Sequence, residues 1–540
     1  MMAGIVHYDN GVLWFDDIPV RTAEDIPRRA GMGGTVWYTT AAVKFQDLIK
    51  VMGPDDSAFG PSPDTPIGAS FTWDQDGKTK TLKVMVSKVW GVSSKDPIDT
   101  RAQIELKMIE CAEQGIKPSM SAAGTALGQY MRFYDGRDGR PKTSQLPPRW
   151  RALAHAAFHG GPISITRAYG QDVVHIDLNA AYLKAMRQPI PIFGKDPDNE
   201  QSTMGGWRTW KGAKWSEIDA LCGFVEATVT VDPDKFGEGD VPPLPVRHFG
   251  GSVHPVGTIR GAWPIGLVKD AVDAGEVVVH EVHQFMFAPE TASIFDEVAT
   301  DFSSTPQGKI LYTRFWGKWA ANGGFTGSRS EEPPDGSVRA YGLWWESNAI
   351  DALSVEAPPT YRPDIAATIA GYNHQQVFQA IRRLKKGSIL CVYVDAIWTT
   401  DIEGAEKFAV ESREEGLWRR KIRGDLRLYG PGVYRHTSSN PEVKSKVAAA
   451  GYSSELRGPL TPESLEAWAT SPEHRASRFT LNSRAWTAPP SLDPTATSRP
   501  VLMRASEARR AHDGPDVHHE CWTSKGWLRN EYASKLGRKA

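Results

Sequence analysis

Two aspartates, each at the end of a short apolar segment, are the residues best suited to chemistry. Asp177 ends the segment QDVVHID, and Asp395 lies between the apolar runs ILCVYV and AIW. Such runs predict buried strands, which would fix both carboxylates at one edge of a sheet. Hard divalent ions such as magnesium prefer oxygen ligands, and two-metal sites support in-line phosphoryl transfer. The alternative is structural, because an aspartate that ends a strand commonly caps the following turn or helix.

The local pattern predicts the elements that must position these aspartates. Residues 171–187 predict a strand, a tight turn and a helix, and residues 388–400 predict two strands joined by a two-residue turn. Residues 363–384 predict a long helix with a proline in its first turn. Residues 99–115 place apolar side chains on one helical face and stop at a glycine, as an amphipathic helix does.

The composition predicts a folded protein. The chain has 540 residues, of which 40% are hydrophobic, and its 63 Lys and Arg against 64 Asp and Glu give a formal net charge of -1. Dominant disorder is therefore excluded. No apolar run approaches the roughly 20 residues that cross a bilayer, and the first residues do not resemble a secretory signal. We expect no membrane partner and a cytoplasmic location. The cysteines form no CxxC pair, so neither a disulfide framework nor a structural zinc site is indicated.

The near-neutral net charge of the whole chain conceals two basic segments. Residues 132–151 carry six Lys or Arg against two Asp, and residues 419–446 carry eight against two acidic residues. The second segment includes Arg419, Arg420 and Lys421 and is interleaved with aromatic residues. Cations that neutralise phosphates, beside aromatics that stack on bases, indicate a nucleic-acid track. The alternative is a solvated basic face.

Three motifs resemble those of the family B DNA polymerases, in particular the protein-primed members of phages and linear plasmids. The first combines an aromatic-x-Gly-Gly turn, Phe158-His159-Gly160-Gly161, with the palm motif at residues 177–182, DLNAAY. The second, KILYTRFWGKWAAN, matches the fingers helix at Lys309 and Trp316. The third, Tyr393-Val394-Asp395, matches the family's Tyr-x-Asp-Thr-Asp-Ser. The motifs occur in the family's order, although each is degenerate.

The resemblance implies an α/β (α+β) right-hand polymerase with palm, fingers and thumb, preceded by a degenerate RNase H-like exonuclease domain. We expect an exonuclease-like domain and basic linker at 1–150, palm and fingers with terminal-protein-type insertions at 151–410, and a thumb with a carboxy-terminal extension at 411–540. Thr39, Thr40 and Lys44 occupy polar positions of an exonuclease motif, so proofreading is not expected. A phage-encoded protein would act in the host cytoplasm.

The resemblance also implies roles for individual residues. Asp177, Asp395 and the Leu178 carbonyl would bind two Mg²⁺ ions, with Mn²⁺ as an alternative. Nucleotide contacts would come from Leu178, Tyr182, Lys309 and Trp316, and DNA contacts from Phe158, Gly160, Gly161, Arg419, Arg420, Lys421 and Tyr434. The implied partners are primer-template DNA, deoxynucleotides and a terminal priming protein. Core packing is the alternative for Trp316 and the preferred prediction for Trp319.

One departure from the third motif bears directly on activity. Ile397 stands where the family has its second, metal-binding aspartate. Asp395 and Ile397 are two residues apart on a predicted strand, so we expect them to share a face at a distance of about 6.6 to 7 Å. Asp395 would therefore need a bulge or slip at Ala396 to replace the missing ligand. The leading hypothesis is a DNA polymerase that replicates a phage or mobile element. The alternative is a catalytically silenced DNA-binding or replication-assembly protein. The sequence does not separate a reverse-transcribing or untemplated transferase from these.

Two histidine groups are poor candidates for metal ligands. His518, His519, Glu520 and Cys521 are adjacent residues that cannot easily converge on one tetrahedral ion. His280 and His283 are three positions apart in a predicted strand, so we expect them on opposite faces.

Overall fold

A computed structural model describes the following residues: 2–9, 12–20, 35–41, 43, 58–59, 68–75, 78–133, 146, 148–167, 169–191, 208–209, 212–236, 240–248, 251–254, 256–288, 291–293, 295–303, 306–319, 361–430, 432–449 and 459–470. The chain divides into two compact units. The first comprises Met1–Thr143, Phe295–Thr326 and Glu356–Tyr361, and the second comprises Ser144–Ile294, Gly327–Val355 and Arg362–Ala540. The three-domain division stays a prediction.

The strands in chain order are β1 (Met2–Asp9), β2 (Val12–Phe15), β3 (Ile18–Val20), β4 (Thr35–Thr39), β5 (Ala58–Phe59), β6 (Gly68–Gln75), β7 (Lys78–Val86), β8 (Ile163–Ile165), β9 (Tyr169–Leu178), β10 (Ile190–Pro191), β11 (Arg208–Thr209), β12 (Cys222–Val231), β13 (Val246–His248), β14 (Gly251–Val253), β15 (Gly257–Pro264), β16 (Val277–Ala288), β17 (Thr291–Ala292), β18 (Ile389–Tyr393), β19 (Ala396–Thr399), β20 (Trp418–Gly430), β21 (Val433–Ser438) and β22 (Lys446–Ala449). The α-helices are α1 (Pro97–Glu113), α2 (Ala122–Phe133), α3 (Pro148–Ala156), α4 (Ala181–Met186), α5 (Trp215–Ile218), α6 (Ile265–Asp273), α7 (Asp296–Ser303), α8 (Gly308–Trp319), α9 (Pro363–Ile381), α10 (Ile402–Glu406) and α11 (Pro462–Thr470).

The first unit contains a mixed sheet with the strand order β3-β2-β1-β4-β7-β6-β5. β4 is parallel to both β1 and β7, whereas the outer pairs are antiparallel. Asp16, in the turn before β3, accepts a hydrogen bond from the Ile5 amide and forms an ion pair with Arg101 of α1. Thr39 and Thr40 are buried at the end of β4, and Lys44 lies outside the described residues.

An aromatic cluster joins α2 to α8 in the same unit. Trp319 is fully buried and meets Tyr130 and Phe315 edge-on, with ring centroids 5.4 and 5.7 Å away. Trp316 on the same helix is partly exposed, and Lys309 is exposed. The core-packing prediction for Trp319 is therefore confirmed.

The second unit is built on an antiparallel sheet with the strand order β22-β21-β20-β9-β19-β18-β8. Its central strand β9 has the apolar run Val173–Ile176 that the sequence predicts as buried, interrupted by one histidine. The long helix α9 contributes Val377 and Phe378 to the apolar cluster on one face of this sheet. Fourteen of the nineteen α9 residues are buried, which explains why this helix is apolar around most of its circumference.

A second sheet of this unit has the order β11-β16-β12-β15. The β12–β16 register shifts twice, and His283 and His280 are the extra residues at these shifts. Their Nε2 atoms lie 2.7 Å from the hydroxyls of Thr228 and Thr230, two residues apart on β12, so both histidines lie on one face. The expectation of opposite faces was wrong, because two bulges break the strict alternation.

The described residues include no helix long and apolar enough to cross a membrane. Most of the basic segment 132–151 lies outside the described residues, as do His518, His519, Glu520 and Cys521. Arg151, which that segment includes, is buried on α3.

Candidate active site

The structure brings Asp177 and Asp395 to one edge of the sheet in the second unit. β9 and β19 are antiparallel, and Asp177 lies opposite Ala396. Asp395 occupies the two-residue turn between β18 and β19, where its carbonyl accepts a 2.8 Å hydrogen bond from the Leu178 amide. The pairing of β9 with β19 and the hydrogen bond from Leu178 thus hold both aspartates in place.

The glycine turn before β8 supports the turn that carries Asp395. The Val394 amide donates to the Pro162 carbonyl at 2.7 Å, and Asn373 of α9 donates to the Val394 carbonyl at 3.3 Å. Val394 has a φ of 63°, a left-handed conformation that is unfavourable for a β-branched residue. A Cβ on Gly161 would lie 2.7 Å from a Val394 methyl group. Glycine at position 161 therefore permits the two turns to pack together.

The rest of this glycine turn is also anchored to its neighbours. Gly160 has a φ of 70°, and its carbonyl accepts a 2.7 Å hydrogen bond from His374 Nε2. Burial lowers the pKa of His374 to about 4, so this imidazole is neutral at pH 7. His159 Nε2 donates to the Ala262 carbonyl at 2.9 Å, and Phe158 packs partly buried against a neighbouring apolar cluster. The arrangement positions the Asp395 turn.

Ile397 faces the protein core. It pairs with Ile176, and both side chains are fully buried in the apolar cluster that includes Val392. The expectation that Asp395 and Ile397 share a strand face was wrong, because Asp395 lies in the turn and β19 begins at Ala396. The register from Tyr393↔Ala396 to Val392↔Ile397 is continuous, so there is no bulge or slip at Ala396.

Lys421 neutralises Asp177. The pairing of β20 with β9 shifts between Arg420, opposite Ile176, and Ile422, opposite His175, which leaves Lys421 as the extra residue of a bulge. Its Nζ forms an ion pair with Asp177 Oδ2, and the side chains are 31% and 17% exposed. Bulges beside active sites commonly re-aim a side chain in this way.

A buried histidine lies behind this ion pair. His175 Nε2 is 4.0 Å from Asp177 Oδ2, and the ring stacks on Trp398 with centroids 4.2 Å apart. Neither ring nitrogen has a hydrogen-bond partner among the described residues. Burial, and then the charges of Lys446 and Lys421, lower the pKa of His175 well below its usual value. His175 is therefore neutral, and the positive charge beside Asp177 comes from Lys421.

Three other cations of β20 also have acidic partners. Arg420 is 2.8 Å from Glu406. Arg423 binds Asp172 through two hydrogen bonds of 2.6 and 2.7 Å, and Arg427 is 2.7 Å from Glu466. Arg419 lies opposite Asp177 in the register and is partly buried. Much of the charge in the predicted DNA track is thus balanced within the protein.

Two tyrosines predicted to contact substrates lie close to the aspartates. Burial raises the pKa of Tyr182 on α4, and the charge of Asp395 raises it further. Burial likewise raises the pKa of Tyr434 on β21, and the charge of Asp177 contributes. The Tyr434 ring is only 6% exposed and meets Trp398 edge-on at 5.2 Å. Its ring belongs to the apolar cluster beneath the site.

Comparisons with known proteins show a similarity of fold and no similarity of sequence to a family model or a curated protein. No family model and no curated protein matches this chain. The chain is similar in fold to phi29 DNA polymerase. A structure of that enzyme with single-stranded DNA matches with a TM-score of 0.54 and 12% identity, over 79% of this chain and 85% of the other. Its ternary complex with primer-template DNA and incoming nucleotides gives 0.55 and 12%, over 80% and 86%, and its orthorhombic crystal form gives 0.55 and 11%, over 81% and 87%.

The donor atoms of the site are suited to one divalent ion. Magnesium is usually bound through one or two carboxylates together with substrate phosphates. Asp177, Asp395 and the Leu178 carbonyl are oxygen donors of this kind. The described residues contain no group of three or more His, Cys, Asp or Glu that could hold a metal, and Ile397 adds no donor. With Lys421 on Asp177, this set does not fit two ions held by the protein alone.

Sequence reasoning missed the ion pair of Lys421 with Asp177 and the contacts of Asn179 with the loop at 411–417. Asn179, two residues after Asp177, donates a 3.0 Å hydrogen bond to the Ser412 carbonyl, and its own carbonyl accepts one from the Gly416 amide at 2.8 Å. The signals in the sequence were an asparagine two residues after Asp177 and a lysine within a basic run. Neither signal identifies a partner more than 200 residues away.

Proposed function

We propose that this chain is a template-directed DNA polymerase of the protein-primed family B type, with palm, fingers and thumb, that replicates a phage or mobile-element genome without proofreading. The observation that carries the proposal is the pairing that puts Asp177 of β9 beside Asp395 of the β18–β19 turn. The fold similarity to phi29 DNA polymerase over about 80% of the chain supports it.

In the reaction, the oxygen of a primer 3′-hydroxyl, or of a hydroxyl of a priming protein, would form a bond to the α-phosphorus of a deoxynucleotide. The bond between the α- and β-phosphates would break, pyrophosphate would leave, and the hydroxyl proton would pass to water. Asp177, Asp395 and the Leu178 carbonyl would hold Mg²⁺, or Mn²⁺ in its place. When bound, the ion would neutralise charge that develops on the phosphoryl oxygens. Tyr182, buried near Asp395, would limit the space beside the sugar.

The remaining contacts follow the motifs. Lys309 and Trp316 of α8 would contact the triphosphate and the nascent base pair. Phe158, Gly160, Gly161 and Tyr434 would shape the DNA path around the Asp395 turn. Arg419 would meet the primer phosphates, and so would Arg420 and Lys421 after leaving Glu406 and Asp177. A terminal protein would supply the priming hydroxyl. We assign its contacts to residues 261–287, whose sequence resembles the insertion that protein-primed family members use to hold the priming protein.

Primer extension with the full-length protein tests this proposal. Asp177→Asn and Asp395→Asn should each lower nucleotide incorporation about 100-fold or more, because each removes a carboxylate that would hold the ion against the reacting phosphate. Asp172→Asn is the matched control, since Asp172 lies on the same strand but is exposed and paired with Arg423. Incorporation that survives both site substitutions would reject the assigned active site. Its absence from the wild type with Mg²⁺ and with Mn²⁺ would reject the enzyme.

Ile397 favours a second candidate, a catalytically silenced protein that binds DNA or assembles replication partners. Its burial in the core leaves the third motif without a second carboxylate. This candidate predicts salt-dependent binding to primer-template DNA, since phosphate contacts release counterions. Binding would be unchanged by Asp177→Asn, and no nucleotide would be incorporated.

A further inference from the structure

The position of Lys421 is set by a bulge in strand β20. In the β20–β9 pairing, Arg420 lies opposite Ile176 and Ile422 opposite His175, so Lys421 is an extra residue without a strand partner. Its Nζ reaches across to the carboxylate of Asp177. A bulge therefore delivers the cation to the main candidate metal ligand.

The other charged groups around Asp177 do not supply this cation. His175 is buried and 4.0 Å away, and Trp398 stacks on it. Arg420 and Arg423, on either side of Lys421 along β20, are paired with Glu406 and Asp172. Arg419 lies opposite Asp177 in the strand register, but the cation that forms an ion pair with Asp177 is Lys421.

We propose that Lys421 is a resident counter-ion of Asp177 that competes with a divalent cation for the carboxylate, and so sets the metal affinity of the site. A divalent ion bound through Asp177 would repel an ammonium group on the same carboxylate. Lys421 is 31% exposed, and a lysine side chain has a flexible four-carbon stem, so it can withdraw when the ion binds. The inference rests on the proposed function for the role of the ion in catalysis. The property that it predicts is the affinity of the site for the ion.

Binding of Mn²⁺ to the full-length protein, without DNA or nucleotide, is the test. Electron paramagnetic resonance of free Mn²⁺ gives the dissociation constant and the stoichiometry. Lys421→Met should tighten binding about tenfold, equivalent to about 1.4 kcal/mol. Lys421→Gln should show the same direction. Arg423→Met removes an equal charge from the same strand, but its partner is Asp172, so binding should stay within about twofold of the wild type.

The site of binding is established by combining substitutions. Asp177→Asn should abolish the tightened Mn²⁺ binding in the Lys421→Met background, and circular dichroism checks that each variant is folded. Equal or weaker Mn²⁺ binding by both Lys421 variants would overturn the inference, as would tightening that persists without Asp177. Tightened binding in a protein that incorporates no nucleotide would leave the counter-ion role standing and reject the polymerase. Nucleotide incorporation by the wild type, together with unchanged Mn²⁺ affinity in the Lys421 variants, would reject the counter-ion role and leave the polymerase standing.

Discussion

Replacing Ile397 with aspartate restores the residue type of the family motif and tests whether this position faces the core. Ile397 is fully buried opposite Ile176, within an apolar cluster. Truncating a buried isoleucine costs about 2–5 kcal/mol. A buried carboxyl without a partner adds about 1–3 kcal/mol even when protonated. We therefore expect Ile397→Asp to lower the free energy of unfolding by about 3–8 kcal/mol, a large part of the 5–15 kcal/mol typical of a domain.

Urea unfolding, followed by tryptophan fluorescence and circular dichroism, measures this loss. Ile397→Val is the matched control and should cost only about 0.5–1.5 kcal/mol, because it removes one methylene from the same environment. Ile397→Asn separates the effect of polarity from that of charge. If Ile397→Asp is as stable as Ile397→Val and also raises nucleotide incorporation, position 397 must face the metal site, and the assigned register of β19 is refuted.

Two further predictions concern the glycine turn that supports Asp395. Gly161→Ala should destabilise the protein by about 1–3 kcal/mol in equilibrium unfolding, because its Cβ would lie 2.7 Å from a Val394 methyl group. Gly317→Ala, at a helical position with open space around it, should be neutral or stabilising, and equal effects of the two substitutions would contradict the packing argument. The pKa of His374 is about 4 in the folded protein and about 6.5 when unfolded, so its stabilising contribution is present above pH 6.5 and is lost as pH falls towards 4. Over that range, stability should fall more steeply in the wild type than in His374→Gln, by about 1.4 kcal/mol per pH unit, and parallel curves would exclude this titration.

The sequence predicts the elements around the site because each has a strong local pattern. The strand ending at Asp177, the two-residue turn at Asp395 and the long helix from Pro363 all occur where apolar runs and turn residues place them. Antiparallel pairing then brings the two aspartates together. A local pattern was sufficient here because the neighbouring strands are buried.

The irregularities of pairing could not be predicted in the same way. A bulge is one extra residue whose position depends on the partner strand, and that strand lies far away in the chain. Lys421 and the two histidines of β16 owe their orientations to such bulges. For Ile397, the position of the turn decided the outcome, because a turn at Val394 and Asp395 places Ala396 first on β19 and turns Ile397 towards the core.

The two functional candidates differ most clearly in what they require of Lys421. The position of Asp177 follows from packing, because Ile176 and Leu178 on either side of it are buried, so a silenced protein would keep this geometry too. Lys421 is different, since a partly exposed ion pair contributes about 1 kcal/mol or less and a bulge interrupts a ladder of hydrogen bonds. Stability alone therefore gives little reason for a lysine at this bulge. A lysine at this bulge would instead control the charge on Asp177. The measurable consequence of that control would be the affinity of the site for a divalent ion.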